Sequence, residues 1–308
     1  MDIITIGFAT CDIIVSPVTA ELFNCDSTKI NMQILPGGDA FNVSVNAAAL
    51  GMNTAIATMV GNDSNGNMIL DYLKTNSVCT DAVGVSKSNG TATSIVMVEP
   101  GGERHLLTSN TIFSEIGPEL IDNSMLEKAG AVCVNSCYRM DRVDYGGIVP
   151  VFQKAHEHKA LTAMDVVWNR KGDWIESIEN ALYETDIFIP SYDEAVMITG
   201  CRDVTEMAKT MSKYGLKIFG VKMGSEGSYI TDYIKEYNVK AFKTDNLVST
   251  LGAGDTFFAG FMTAQIMGMD TYESALFASA AASFTVEVAG AIGGIPNRNA
   301  VLKRMHEI

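Results

Sequence analysis

The chain is expected to fold as an α/β three-layer sandwich: a mainly parallel central sheet with helices on both faces, carrying a small β-sheet lid. Three observations predict this. Short apolar strand-like runs alternate with helical patterns over most of the 308 residues, the signature of a parallel sheet covered on both sides. Two stretches break that rhythm with strands that have no helix between them. Apolar residues make up 47% of the chain, which supplies a large core and argues against disorder.

Ile3–Phe8 reads as the first strand. Asp12–Val15 and Lys29–Leu35 follow as two lid strands. Asp39–Leu50 is a helix closed by Gly51, Thr54–Val60 a strand, and Ser64–Thr75 a helix. Thr91–Val98 and Arg104–Thr108, joined by Pro100-Gly101-Gly102, read as a hairpin that completes the lid. Ala131–Asn135 is a strand and Val149–His158 a helix. Leu161–Val167 and the short Asp186–Pro190 are strands, and Tyr192–Thr199 is a helix closed by Gly200. Lys217–Lys222 is a strand that turns into Ser228–Thr231, and Thr256–Met269 and Tyr272–Val288 are helices. Residues 1–308 are read as one domain, with lid strands in about 12–35 and 91–108. The free face or edge of such a lid favours pairing with a second copy, so a homodimer through these strands is expected.

The net charge of −14 argues against nucleic acid or an anionic membrane as the main partner. It leaves a phosphorylated substrate open, because local amides and one Lys can hold phosphate. The six cysteines are scattered with no Cys-x-x-Cys, as expected of reduced thiols in a cytoplasmic protein. His156 and His158 lie two apart on a helix and face different ways, so no zinc site is expected. Met1-Asp2-Ile3 lacks the basic start of a secretory leader. The longest apolar stretches meet Gln265, Glu273 or Glu287 before the roughly 20 residues a membrane span needs.

The most informative segment is Ser249-Thr250-Leu251-Gly252-Ala253-Gly254-Asp255-Thr256. Three small residues let the backbone turn tightly and approach a ligand, and their N–H groups open a helix N-terminus, which binds anions. An acid in that place can take a proton from a hydroxyl while the amides hold the charge of a transferring phosphoryl group. A plain turn and helix start, with Asp255 favourable against the dipole, fits the same residues.

Four further constellations accompany it. Gly37-Gly38-Asp39-Ala40-Phe41-Asn42 places a Gly pair between a lid strand and a helix. Asn42 stands one turn in, where an amide can bind a hydroxyl both ways; a helix start capped by Asp39 is the alternative. Asp12 follows the first strand, where α/β ligand crevices form, and it also suits an ordinary loop acid. Ser191-Tyr192-Asp193-Glu194 after a strand offers a carboxylate for Mg2+ through water, and it also reads as a capping box. Lys222-Met223-Gly224-Ser225-Glu226-Gly227 offers a cation for phosphate and two glycines for close approach, or simply a hairpin turn. No Gly-x-x-x-x-Gly-Lys-Ser/Thr loop and no Gly-x-Gly-x-x-Gly at the first helix occur, which disfavours P-loop and dinucleotide chemistry.

In this order the motifs resemble those of the ribokinase-like (PfkB) carbohydrate kinase family, across nearly the whole chain, including Gly290-Ala291 and Pro296 near the end. The resemblance implies ATP-dependent, Mg2+-assisted phosphorylation of a primary hydroxyl of a sugar or nucleoside. It implies Asp255 as catalytic base and the amides of Gly252, Ala253 and Gly254 as the anion hole. Asp12, Gly38, Asp39 and Asn42 would hold the acceptor, with Arg104 near it. Ser191 and Glu194 would face Mg2+ and phosphate, Glu194 as the metal-facing carboxylate, and Lys222, Gly224, Gly227 and Ser279 would lie along the nucleotide. The family usually has Asn at the Ser191 position and Asp at Ser249, where ribokinase-like members bind potassium. Gly294 also replaces a common Ser, so potassium is not expected to be required. Asp165 and Arg170 flank a segment where related kinases place acceptor residues. The alternatives are a nucleoside kinase, with Phe41, Tyr138 and Trp168 as walls for a base, and a catalytically silent regulatory homologue.

Overall fold

In the computed structural model, which describes residues 1–101 and 103–307, the strands sort into two separate sheets. In chain order they are β1 (Ile3–Gly7), β2 (Thr10–Ser16), β3 (Asn31–Gly37), β4 (Thr54–Gly61), β5 (Val83–Ser86), β6 (Thr93–Val98), β7 (Arg104–Ser109), β8 (Ala131–Cys137), β9 (Leu161–Val166), β10 (Ile187–Phe188), β11 (Ile218–Lys222), β12 (Ser228–Thr231) and β13 (Glu236–Val239). The helices are α1 (Asp39–Ala49), α2 (Ser64–Thr75), α3 (Asn123–Leu126), α4 (Val149–Glu157), α5 (Glu179–Leu182), α6 (Tyr192–Thr199), α7 (Val204–Met211), α8 (Ala253–Ile266), α9 (Thr271–Thr285) and α10 (Arg298–Met305).

The large sheet runs β13-β12-β11-β10-β9-β8-β1-β4-β5. It is parallel from β5 to β11 and ends in an antiparallel hairpin ladder through β12 and β13. β4 is buried at every position, the continuous apolar run that a strand covered on both faces requires. On one face Ile3, Ala131 and Cys133 pack with Val43 and Ala47 of α1 and with Phe257, Phe258 and Phe261 of α8. On the other face Ile4, Val132 and Val134 pack with Phe152 of α4, Ile198 of α6 and Met207 of α7. Helix, sheet, helix is the expected three-layer order. α8 and α9 approach closely because Gly260 has no side chain: a Cβ there would stand 2.9 Å from Ala278 Cα.

The small sheet runs β3-β2-β6-β7. β6 and β7 form the expected antiparallel hairpin, and β2 joins β6 in parallel. Its two faces differ. Ile13, Ile34, Ile95 and Leu107 are register partners on one face; Asp12, Leu35, Ser94 and Thr108 are partners on the other.

Three expectations shift. The last helix pair starts earlier: α8 opens at Ala253 because the Gly252 carbonyl already accepts the Thr256 N–H at 2.9 Å. The first lid strand also starts earlier: Asp12, expected at its start, lies inside β2, which begins at Thr10. Asp39 does not cap α1; Gly38 holds the cap position and the Asp39 carboxylate is used elsewhere. No helix among the described residues is long and apolar enough to cross a membrane.

Candidate active site

Two helix N-termini converge over the carboxyl ends of the central strands. Gly252 takes φ 72°, and a Cβ there would stand 2.3 Å from Ala291 Cβ, so both the turn and the close approach require glycine. The N–H groups of Gly254 and Asp255 fall in the first turn of α8, where no intrahelical acceptor exists. The Ala253 N–H is drawn back to the Thr250 carbonyl at 3.3 Å, so it is less free for a ligand than the motif suggests. Asn42 Nδ2 of α1 donates to Asp255 Oδ2 at 2.8 Å. One turn on, Asn46 Nδ2 donates to Thr256 Oγ1 at 2.8 Å, and Thr256 Oγ1 in turn meets Thr285 Oγ1 of α9 at 2.8 Å. These two rungs fix α1 against α8. The Asn42 Oδ1 atom is buried with no protein partner.

Below the helices, strand ends deliver charge. Lys222 at the end of β11 donates to Asp165 at the end of β9. Glu194 Oε2 accepts from Ser191 Oγ at 2.6 Å and from the Ser191 N–H at 2.8 Å, so the capping box forms. Ser136 Oγ donates to Asp39 Oδ2 at 2.9 Å. Ser136 takes φ 103°, a strained conformation for a side-chain-bearing residue, at the point where the β8–β9 register shifts.

Burial dominates the electrostatics. It pushes the Asp255 carboxyl well above the ordinary range; the neighbouring Asp39 charge adds to this, and the Asn42 bond opposes it. Burial likewise raises Asp39, against the Ser136 bond and the charge of Lys222. Glu194 is raised by burial and then by Asp165. For Lys222 burial favours the neutral amine, but Asp165 and Glu194 outweigh it and the net shift is upward.

These groups open on one cavity of about 950 Å3. Asp39, Asp165, Glu194, Lys222 and Asp255 line one part of it. Gly224, Gly227, Lys240, Phe242 and Ser279 line another, with Trp168 also on the wall. A Cβ on Gly224 would meet nothing within 4 Å, and one on Gly254 would meet only the Lys222 side chain, beginning at 3.7 Å. The space beside both glycines is therefore open to a ligand. Open amides, a cation and glycine-lined space fit a polyphosphate, and the Glu194 carboxylate fits a hydrated Mg2+.

The sequence candidates separate as follows. Asp255, Ala253, Gly254, Asp39, Ser191, Glu194, Lys222, Gly224, Gly227 and Ser279 line the cavity. Asn42 reaches it through Asp255, while Asp12, Gly38 and Gly252 are not among the lining residues. Asp12 presses on Gly37, where a Cβ would meet its carboxylate at 2.4 Å. The backbone of Arg104 pairs with Val98, and its side chain lies outside the described residues. Of the proposed base walls only Trp168 lines the cavity. Phe41 packs in the core against Tyr72, and the Tyr138 hydroxyl donates to the Trp174 carbonyl. Sequence reasoning missed Ser136, which carries no motif, and the Lys222–Asp165 pair, whose members are 57 residues apart.

The chain matches the pfkB family carbohydrate kinase model over residues 2–298. It is 29% identical over 303 residues to the ribokinase of Bacillus subtilis, covering 97% of this chain and 98% of that one. It is 30% identical over 274 residues to the fructosamine kinase of the same organism, covering 85% and 88%. Arabidopsis thaliana ribokinase, solved with ribose and ATP, superposes with a TM-score of 0.85 at 25% identity, covering 100% and 99%.

The Asp255 shift has a consequence for stability. Its folded-state value lies above the ordinary 3.8, so between the two values the unfolded chain holds fewer protons and stability falls as pH rises. Asp255→Asn removes that penalty and keeps an acceptor for Asn42. Thermal denaturation from pH 4 to 8 should show Asp255→Asn melting above wild type at neutral pH, with the gap closing towards pH 4. A variant that melts lower at every pH would contradict the direction of the shift.

Proposed function

The chain belongs to the pfkB family of carbohydrate kinases, and on that premise we propose that it moves the terminal phosphoryl group of ATP to a primary hydroxyl of a sugar or sugar derivative. The observation that carries this reading is one carboxylate, Asp255, set among open amides at the N-terminus of α8 and facing the cavity. A base with a raised pKa binds a proton well enough to take it from an alcohol. In this reading Asp255 accepts the hydroxyl proton, and Asn42 fixes the carboxylate oxygen that it bonds. The amides of α8 and the Lys222 ammonium hold the charge that develops on the transferring group. Mg2+, when bound, neutralises phosphate charge; Glu194, oriented by Ser191, is the residue that faces its hydration shell. Asp12, Gly38, Asp39 and Asn42 shape the acceptor end, with the small sheet as its lid, and Gly224, Gly227 and Ser279 border the nucleotide.

A homodimer through the small sheet belongs to the same reading. On its outer face Met32, Ile34, Ile95 and Leu107 are 58%, 51%, 37% and 58% exposed, an apolar surface that water does not favour. The absence of a potassium requirement is supported by Ser249, whose Oγ accepts the Leu251 N–H at 3.2 Å within its own loop, and by Gly294, which offers no side chain.

The deciding assay is ADP release with Mg-ATP against pentoses, hexoses, sugar acids, amino sugars and nucleosides. One strong acceptor among the sugars is expected, and Asp255→Asn should lower its kcat by about 100- to 10,000-fold while sugar binding persists. A nucleoside as the sole acceptor would sink the sugar reading, and silence with ATP still bound would favour a regulatory role. Light scattering at micromolar concentration should give twice the chain mass; a monomer would count against the lid contact. Rates in potassium-free buffer should match those with potassium, and strong activation by the ion would refute that expectation.

A further inference from the structure

The Lys222–Asp165 pair has a geometry that phosphate binding alone does not require. Asp165 ends β9 and Lys222 ends β11, with β10 between them, so the ion pair spans a strand. Both partners are mostly buried, the side chains being 14% exposed for Lys222 and 7% for Asp165, and Lys222 lines the cavity. An ammonium has three N–H donors. One is used on Asp165, and no other protein acceptor takes the remaining two among the described residues. The amine lies 3.7 Å from the point where a side chain on Gly254 would begin. Because residue 254 has no side chain, nothing separates the amine from the first turn of α8.

The surroundings explain why such an amine needs an anchor. Lys222 feels the charges of Asp165, Glu194 and Asp255. Left free on a flexible four-carbon stem, it is drawn to either of the other two. A bond to Asp255 would occupy and acidify the proposed base, and a bond to Glu194 would occupy the proposed Mg2+ face. The buried partner on β9 prevents both.

We infer that Asp165 is a positioning residue, which fixes the Lys222 ammonium beneath the first turn of α8 so that it meets the phosphoryl group in transfer and does not close on Asp255. The inference rests on the phosphoryl-transfer reading. It adds a residue of the cavity wall that acts through another, Lys222.

The test compares wild type with Asp165→Asn, Lys222→Met and the double variant on the accepted sugar. Asp165→Asn and Lys222→Met should each lower kcat by about 100-fold, the scale of losing one charge-stabilising donor, with KM for ATP little changed. The double variant should be no slower than Lys222→Met. In Asp165→Asn the acid limb of the kcat profile should also move to lower pH, because the freed ammonium pairs with Asp255. Asp39 and Asn42 of α1, Asp165 of β9 and Lys222 of β11 are the groups acting on Asp255, and only the last two change. Asp165→Glu, which keeps the charge but shifts the amine, serves if Asp165→Asn does not fold, and should lose kcat without losing melting temperature. Wild-type kinetics in the Asp165 variants, losses that multiply in the double variant, or an unmoved acid limb would overturn the assignment. If wild type phosphorylates nothing, the kinase reading fails by itself, and calorimetry still decides the pair. Wild type should hold Mg-ADP with tetrafluoroaluminate, which imitates the phosphoryl group in transfer, tighter than Mg-ADP alone, and Asp165→Asn should lose that preference; retention of the preference would overturn the inference.

Discussion

The constraint on which the rest of the site depends is the docking of the α1 N-terminus against the α8 N-terminus, made by Asn42 on Asp255 and Asn46 on Thr256. Both donors lie on one face of α1, one turn apart, and both acceptors open α8. The arrangement brings two positive helix ends together and sets an acid in the first turn of each, Asp39 and Asp255. A helix dipole favours a carboxylate by about 0.3–1 kcal/mol at the surface and somewhat more when partly buried. Burial acts in the opposite sense, and for both acids it is the largest influence. The helix ends therefore moderate a penalty that the cleft imposes without cancelling it. A cleft of this kind gives up stability to hold two carboxyl groups with raised pKa values, a trade that functional sites often make.

The buried Lys222–Asp165 ion pair fits the same logic. Taking two charges out of water costs several kcal/mol per ion, and their attraction rarely returns a surplus, so such pairs are poor evidence of a stabilising role. A hydrophobic pair would fill the space between β9 and β11 at least as well. What an ion pair supplies there is a charge at a fixed place, next to open amides that also carry partial positive charge. Strained Ser136 is a second instance: a left-handed residue in a bulged strand, tolerated because its hydroxyl joins the Phe8 N–H at 3.4 Å to the Asp39 carboxylate at 2.9 Å.

What the sequence made legible follows from range. Local signals were readable: Gly252 through Asp255 announced the α8 turn, Ser191 and Glu194 the capping box, Gly200 the end of α6. The alternation of strands and helices specified the three layers because a parallel sheet imposes it. β13 was not legible because its four residues, Glu-Tyr-Asn-Val, are a short polar edge. α10 buries only Val301 and Met305, too few to write an apolar stripe. In the site, residues that carry a motif were found, and pairings made by long-range packing were not: Asp165 was named beside an acceptor segment, not as the partner of Lys222. Asp165 reaches Lys222 only because β9, β10 and β11 lie side by side, which no spacing encodes. Phe41 and Tyr138 show the converse error: aromatic type suggested a wall, but Phe41 on α1 and Tyr138 just past the end of β8 are both buried in the core.

The small sheet joins the two halves of this argument. Its side chains alternate strictly, so Asp12 and Ile13 must face opposite ways. The Asp12 face carries Leu35, which reaches Gly290 beyond the end of α9; the Ile13 face carries Met32, Ile34 and Leu107, each more than half exposed. A four-stranded sheet that leaves apolar side chains open to water on both faces, Leu107 on the Ile13 face and Leu106 on the Asp12 face, has weak reasons to hold its shape alone. In the proposed dimer, covering the Ile13 face would fix the pleat, and the same pleat would set the position of Asp12, proposed above for the acceptor end. Association and acceptor binding are then two faces of one rigid element. A substitution that unsettles the outer face should disturb the inner one even though no side chain connects them.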